Sequence, residues 1–133
     1  MKGIGSVVLC LPVLAVLSAT AQTPDAISRL AGDWKGDSIC TAAAIGCRNE
    51  KVVWHVVRMP EKPGWVTVKG DRMENGKPVA MGALEFRYDE ESRALVCEGP
   101  QGVWRVTVEE NRIEGTLTRP DKTMFRRVSL RRG

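Results

Sequence analysis

Two of the cysteines, Cys40 and Cys47, lie close enough in the chain to close a short disulfide loop. The residues between them, Thr41 to Gly46, are mostly small and can fold back on themselves. In the chain-entropy description, a crosslink around so short a ring is worth about 2–3 kcal/mol. We therefore predict a Cys40–Cys47 disulfide. Cys97 lies in an apolar run and is expected to be a buried free thiol, with a reactive or intermolecular thiol as the alternative.

The remaining residues that could do chemistry do not form a catalytic pattern. The single histidine, His55, has no nearby arrangement of Ser, Cys or Asp of the kind that supports nucleophilic catalysis. The cysteines lack the paired spacing of zinc sites. Acidic residues between Glu85 and Glu91 surround one predicted turn, and their spacing does not specify the facing pair of a glycosidase. The sequence predicts a protein that is not an enzyme and that uses no metal or cofactor.

The first 21 residues have the features of a cleavable export signal. Lys2 supplies a positive start, Val7 to Leu17 are almost wholly apolar, and Ala19-Thr20-Ala21 provides the small residues that signal peptidase requires. The apolar core is shorter than the roughly 20 residues that span a membrane. We predict a signal peptide of residues 1–21, cleavage after Ala21, and a periplasmic or secreted domain of residues 22–133 without a stable membrane span.

The domain reads as a succession of short strands. After a helical turn predicted near Ala26 to Leu30, apolar and polar residues alternate with a period of two. Separators rich in Gly, Pro, Asn and Asp interrupt this pattern, as hairpin turns do. The predicted strands lie near residues 33–40, 51–59, 65–73, 78–88, 93–98, 102–109, 112–119 and 123–131.

The short connections favour a meander, because successive strands then pair with their neighbours. A Greek-key sandwich needs a long return connection, and the longest connection here is the predicted disulfide loop, from Thr41 to Glu50. A closed barrel has no exposed sheet edges, and with eight strands it encloses side chains or one small ligand. The predicted fold class is all-β: an eight-stranded antiparallel up-and-down barrel with a short N-terminal helical turn. An open sheet or a sandwich is the alternative.

The alternation also predicts which side chains face the interior. In the fourth strand, Leu84, Phe86 and Tyr88 share one side, and Trp104 begins the apolar side of the sixth strand. The strand from Val52 to Val57 is apolar on both sides, so its register stays open.

The helical turn, the segment Leu30-Ala31-Gly32-Asp33-Trp34 and the basic last strand resemble the lipocalin-like, or calycin, barrels. In that group the tryptophan of Gly-x-Trp packs over the closed end of the barrel, often beside a basic residue of the final strand. The resemblance implies that Trp34 forms the floor, with Arg126, Arg127 or Arg131 beside it or further up the wall. The chain is shorter than a usual lipocalin and lacks further lipocalin motifs.

Arg126 is the candidate for chemistry inside the barrel. If Met124 and Val128 face inward, so does Arg126, and a buried guanidinium needs an acceptor or an anion. In fatty-acid-binding relatives an interior arginine holds a ligand carboxylate, which suggests the same role here. The alternatives are an ion pair, hydrogen bonds to Ser38 and nearby carbonyls, or a solvated side chain if Phe125 points inward. The candidate ligand-binding residues are Arg126, Trp34, Ser38, Phe86, Tyr88 and Trp104.

The predicted function is a noncatalytic exported binding module that carries or senses a small apolar or anionic ligand. One alternative is a protein-binding module or inhibitor that uses the Cys40–Cys47 loop or the strand around Trp54. The other is an envelope structural protein. The expected partner is a small molecule, or an envelope or extracellular protein, and not a nucleic acid.

Basic residues gather towards the end of the chain. Cleavage after Ala21 lowers the formal net charge from +4 to +3, because Lys2 is the only charged residue of the signal. We expect a soluble exterior with a basic C-terminal strand. The alternative is a strip that meets anionic lipid, polysaccharide or nucleic acid.

Overall fold

The computed structural model describes residues 26–41 and 46–133. The predicted signal peptide and residues 42–45 of the disulfide loop lie outside these ranges. One helix and eight strands follow in order: α1 (Ala26–Leu30), β1 (Gly32–Cys40), β2 (Glu50–Arg58), β3 (Trp65–Glu74), β4 (Lys77–Asp89), β5 (Ala94–Gly99), β6 (Gly102–Glu109), β7 (Arg112–Thr118) and β8 (Met124–Arg132).

The strands form a closed barrel in which each strand pairs antiparallel with its neighbour in the sequence. β1 closes the barrel by pairing with β8. The fold class is therefore the predicted one, an all-β meander closed on itself. Within the described residues, no helix is long and apolar enough to cross a membrane.

Pairing with β1 settles the register of β2. Trp34 lies opposite Trp54, and both side chains are buried. The inner side of β2 therefore carries Val52, Trp54 and Val56, each less than a tenth exposed. Because directly opposite residues share a face of the sheet, His55, which alternates with these residues, lies on the outer wall.

A glycine allows β1 and β8 to close the barrel. A Cβ atom at Gly36 would overlap the carbonyl oxygen of Ser129 and crowd the Cα atom of Leu130. Any larger residue would therefore push the two strands apart at the seam where the sheet meets itself. Close approach of this kind is one reason for a glycine inside a strand.

The two ends of the barrel differ. At the closed end α1 covers the interior, with Ile27 and Leu30 buried as predicted. At the open end the disulfide between Cys40 and Cys47 links the end of β1 to the segment before β2. The predicted disulfide is thus present, and Cys97 is a buried free cysteine.

Neither of the two arrangements considered for β8 describes it fully, because Arg126 faces inward and Met124 does not. The register between β7 and β8 shifts between Leu117 and Thr118, so that Leu117 lies opposite Arg126 and Thr118 opposite Met124. Met124 therefore lies on the outer side and is 39% exposed, while Arg126 still faces inward. An irregularity of this kind adds a residue to one strand and reverses the alternation beyond it, which a simple period of two does not predict.

Candidate functional site

Trp34 forms the floor of the barrel. Its side chain is 1% exposed, and its Nε1 donates a hydrogen bond of 3.0 Å to the carbonyl oxygen of Leu30, the last residue of α1. The indole thus fills the closed end and also ties the helix to β1. This is the position that the Gly-x-Trp resemblance implied.

The arginine beside Trp34 differs from the predicted ones. The guanidinium carbon of Arg132 lies 4.3 Å from the centroid of the Trp34 ring, and its Nη1 donates to the carbonyl oxygen of Ala31 at 2.9 Å. Arg127 and Arg131 are exposed, and Arg126 lies near the opposite end. Arg132 lies one residue beyond the predicted end of this strand, at residue 131, and was therefore not among the candidates.

Three aromatic side chains meet in the middle of the barrel. The Trp54 ring lies 5.8 Å from the Phe86 ring and 5.5 Å from the Trp104 ring, the latter in an edge-to-face arrangement. Phe86 is 1% exposed, and Trp104 is half-buried. Of the predicted ligand-binding residues, Phe86 and Trp104 are thus brought together, with Trp54 between them.

The other predicted residues lie at the two ends. Tyr88 joins Trp34 at the closed end, where both line a cleft of about 860 Å³ between α1 and the neighbouring turns. Ser38 and Arg126 lie near the open end. The predicted set therefore does not form one site.

Above the aromatic cluster, β3, β4 and β5 each have a glycine at an inward-facing position. Gly70 and Gly82 lie directly opposite each other, and Gly70 is also opposite Trp54. Gly99 shares the inner side of β5 with Cys97. A Cβ atom at Gly82 or Gly99 would have open space around it. We call this gap the mouth notch.

Two apolar side chains border the mouth notch. A Cβ atom at Gly70 would lie 3.4 Å from Cε of Met81 and 4.0 Å from Cδ1 of Trp54. Leu84 was predicted to be part of the interior, and its side chain is on the inner side but 47% exposed. Met81 is 45% exposed. The sequence did not indicate this site, because its glycines lie on three different strands and only the strand register brings them together.

The mouth notch is open because β4 and β5 separate early. Their ladder has only the pairs Arg87–Val96, Tyr88–Leu95 and Asp89–Ala94. Continued in the same register, it would place Glu85 directly opposite Glu98, and like charges in that position are destabilising.

The separated strands leave Cys97 beside the same two carboxylates. Burial raises the pKa of the Cys97 thiol, and the charges of Glu85 and Glu98 raise it further. The thiol therefore stays protonated and is a weak nucleophile, because the thiolate is the reactive form. Cys97 is thus part of the apolar wall below the mouth notch and does not form a reactive centre.

Arg126 faces inward and has protein partners on β1, β2 and the disulfide loop. Its Nη1 donates to Ser38 Oγ at 2.9 Å, and its Nη2 donates to the carbonyl oxygen of Arg48 at 3.2 Å. Nη2 also lies 3.7 Å from Glu50 Oε1 and 3.4 Å from the sulfur of Cys47. These are the internal contacts that the sequence left open as an alternative to ligand binding.

On the outer wall, His55 links three strands. Its Nδ1 lies 2.7 Å from Asp33 on β1, and its Nε2 lies 2.8 Å from Asp71 on β3. Only the protonated imidazole can donate from both nitrogens. These hydrogen bonds, Asp33 first and Asp71 second, raise the pKa of His55 against the opposing effect of burial. With both ring nitrogens hydrogen-bonded, His55 links β2 to β1 and β3 on the outer wall.

Replacing His55 with glutamine is expected to make the protein less dependent on pH. The pKa of His55 in the folded state lies above its unfolded value near 6.5. The stabilisation of the fold by His55 is therefore complete below the unfolded pKa and is lost as the pH rises through the folded-state pKa. The wild-type protein should therefore exceed His55→Gln in free energy of unfolding by more at about pH 5.5 than at about pH 8.5. Urea denaturation at both pH values measures this difference. The same difference at about pH 5.5 and at about pH 8.5 would contradict a stabilising role of the protonated His55.

Within the described residues, no group of three or more His, Cys, Asp or Glu side chains is placed to hold a metal ion. No family model, no curated protein and no solved structure matches the chain. The closed antiparallel barrel of eight strands is compatible with a lipocalin-like fold.

Proposed function

We propose that the protein is a noncatalytic, exported barrel that binds one small, neutral, apolar molecule in the mouth notch. The observation that carries this proposal is the unfilled inner wall at Gly82 and Gly99, next to the half-exposed Leu84 and Met81. Exposed apolar side chains beside a gap lined by aromatic rings are typical of a ligand site.

The apolar area that a small ligand would bury gives the expected affinity. A ligand that removes roughly 300 Å² of apolar surface from water gains about 7.5 kcal/mol at about 25 cal/mol per Å². Part of this is lost when the ligand is immobilised. We therefore expect a dissociation constant in the micromolar to millimolar range.

Charges near the mouth notch favour a neutral ligand over an anionic one, because Arg72, the next inward residue of β3 after Gly70, is already paired with Glu74 at 2.9 Å. Arg126 already bonds to Ser38 and the Arg48 carbonyl oxygen and lies near Glu50, so an anion would have to displace these partners. The carboxylates of Glu85 and Glu98 flank the opening between β4 and β5 and oppose an approaching anion.

Export is part of the proposal. Residues 1–21 carry the pattern of a signal peptide, and the Cys40–Cys47 disulfide is compatible with an oxidising compartment. A carrier or sensor of apolar molecules suits that location, because such molecules are poorly soluble in water.

A second candidate function is protein binding beside the disulfide loop. Ile39, next to Cys40, is 44% exposed, and Met124 is 39% exposed. The start of the disulfide loop is held next to Met124, because the hydroxyl of Thr41 donates a hydrogen bond of 3.0 Å to the carbonyl oxygen of Met124. Apolar side chains beside a preorganised loop are suited to a protein partner.

Binding of a neutral dye tests the proposed function. We expect N-phenylnaphthylamine, which fluoresces in apolar surroundings, to bind the wild-type protein at one site. Decanol should displace it at a lower concentration than decanoate. Displacement by decanoate alone would favour an anionic ligand instead, and no binding of the dye would favour a protein-binding or structural role.

A further inference from the structure

The outer wall formed by β7, β8 and β1 has an excess of positive charge. Lys35 on β1 and Arg131 on β8 lie directly opposite each other, and Arg131 is also opposite Arg112 on β7. Arg127 lies on the same outer side of β8, four residues before Arg131. We call Lys35, Arg127 and Arg131 the basic face.

The acidic residues of this wall already have partners. Asp33 bonds to His55 at 2.7 Å, Asp37 forms an ion pair with Lys51, and Glu114 lies 3.5 Å from Arg112. Each of these carboxylates is paired with a histidine, lysine or arginine outside the basic face, so Lys35, Arg127 and Arg131 remain as the excess positive charge of the wall.

Among the residues that the structure describes, the three cations of the basic face have no carboxylate within ion-pair distance. The guanidinium of Arg127 makes a long contact with the sulfur of Met124, at 4.0 Å, and no ion pair within the described part of the chain. Directly opposite like charges such as Lys35 and Arg131 repel each other and destabilise a sheet. A bound anion would remove this repulsion.

Hydroxyl groups lie beside Arg127. A shallow groove of about 430 Å³ runs over β6, β7 and β8. Its lining includes two cations and one carboxylate (Arg105, Arg127 and Glu114) and three hydroxyl residues (Thr107, Thr116 and Ser129). These three residues offer hydrogen-bonding groups next to the charge. Thr107 and Ser129 also bond within the groove, to the carbonyl oxygen and carboxylate of Glu114.

We infer that the basic face and this groove bind a linear acidic polysaccharide, a chain that carries sulfate or carboxylate groups among its hydroxyls. Along β8, Arg127 and Arg131 are about 13 Å apart, which allows contacts with successive acidic groups of a chain. A flat lipid surface fits less well, because it touches a convex barrel wall without entering the groove. This surface is separate from the mouth notch.

Heparin, used as a sulfated probe, should bind the full-length wild-type protein at low ionic strength. We expect Lys35→Gln and Arg131→Gln each to weaken binding by about two- to fivefold, as exposed ion pairs of this strength do. The slope of log K against log salt concentration should fall by about one for each cation removed. Isothermal titration over a series of salt concentrations gives both values.

Arg87→Gln is the matched control, because it removes the same charge from the outer side of β4, where Arg87 is exposed. Its heparin affinity should equal that of the wild-type protein. An equal loss for Arg87→Gln and Arg131→Gln would overturn the inference in favour of a general effect of net charge. Binding to phosphatidylglycerol vesicles without binding to heparin, or no binding to either, would also overturn it.

Discussion

Replacing Trp34 with alanine is expected to cost the protein most of its stability. The side chain is 1% exposed and fills the closed end, where it also bonds to Leu30 and stacks with Arg132. Truncating a buried tryptophan costs about 3–5 kcal/mol, out of a total stability of about 5–15 kcal/mol for a typical domain. Thermal unfolding followed by circular dichroism should show a midpoint lowered by roughly 15 °C or more.

The Trp34→Phe variant distinguishes the stability that comes from packing of the Trp34 ring from the stability that comes from its hydrogen bond to Leu30. Phenylalanine keeps an aromatic ring against Arg132 but cannot donate to the Leu30 carbonyl oxygen. We expect its loss to be clearly smaller than that of Trp34→Ala. A loss below about 1 kcal/mol for Trp34→Ala, within the range of ordinary surface substitutions, would show that the indole is not the structural floor.

Replacing Arg126 with methionine is expected to destabilise the open end and to leave ligand binding intact. The substitution removes the donor to Ser38, whose side chain is buried, and leaves Glu50 without its nearby cation. Uncompensated groups of this kind cost roughly 2–4 kcal/mol when partly buried. Urea denaturation measures the loss, and the dye titration measures binding.

Glu50→Gln is the companion variant for Arg126→Met. If the two side chains stabilise the fold through each other, the double variant should lose less than the sum of the two single losses. Full stability of Arg126→Met together with a selective loss of decanoate binding would contradict this account. It would instead assign Arg126 the ligand-anchoring role.

The fold could be predicted because its determinants are local. Alternation and turn residues specified the eight strands to within two residues of their observed ends. Short connections between strands such as β6 and β7 left few ways to arrange them other than a meander. The orientation of Met124 was left open by the sequence, because it lies beyond an irregularity between β7 and β8 that has no clear signal in the chain.

The candidate site was harder to predict because it is formed by inward-facing positions that have no side chain. Gly70, Gly82 and Gly99 come from three different strands, and only the register between the strands brings them to one opening. Leu84 follows the apolar alternation of its strand, but its exposure depends on where β4 and β5 separate. The inward orientation of Arg126 was one of two that the sequence left open, and its partners Arg48 and Glu50 follow from the position of the disulfide loop.

The central claim is tested most directly by titrating the neutral dye into two matched variants, Leu84→Ser and Ile39→Ser. Both replace an apolar side chain of similar exposure, 47% for Leu84 at the mouth notch and 44% for Ile39 on the outer wall. We expect Leu84→Ser to weaken binding of the dye roughly tenfold, from the loss of about 1.5 kcal/mol of apolar contact, and Ile39→Ser to bind the dye like the wild-type protein. Equal affinities for both variants, or a loss confined to Ile39→Ser, would contradict it.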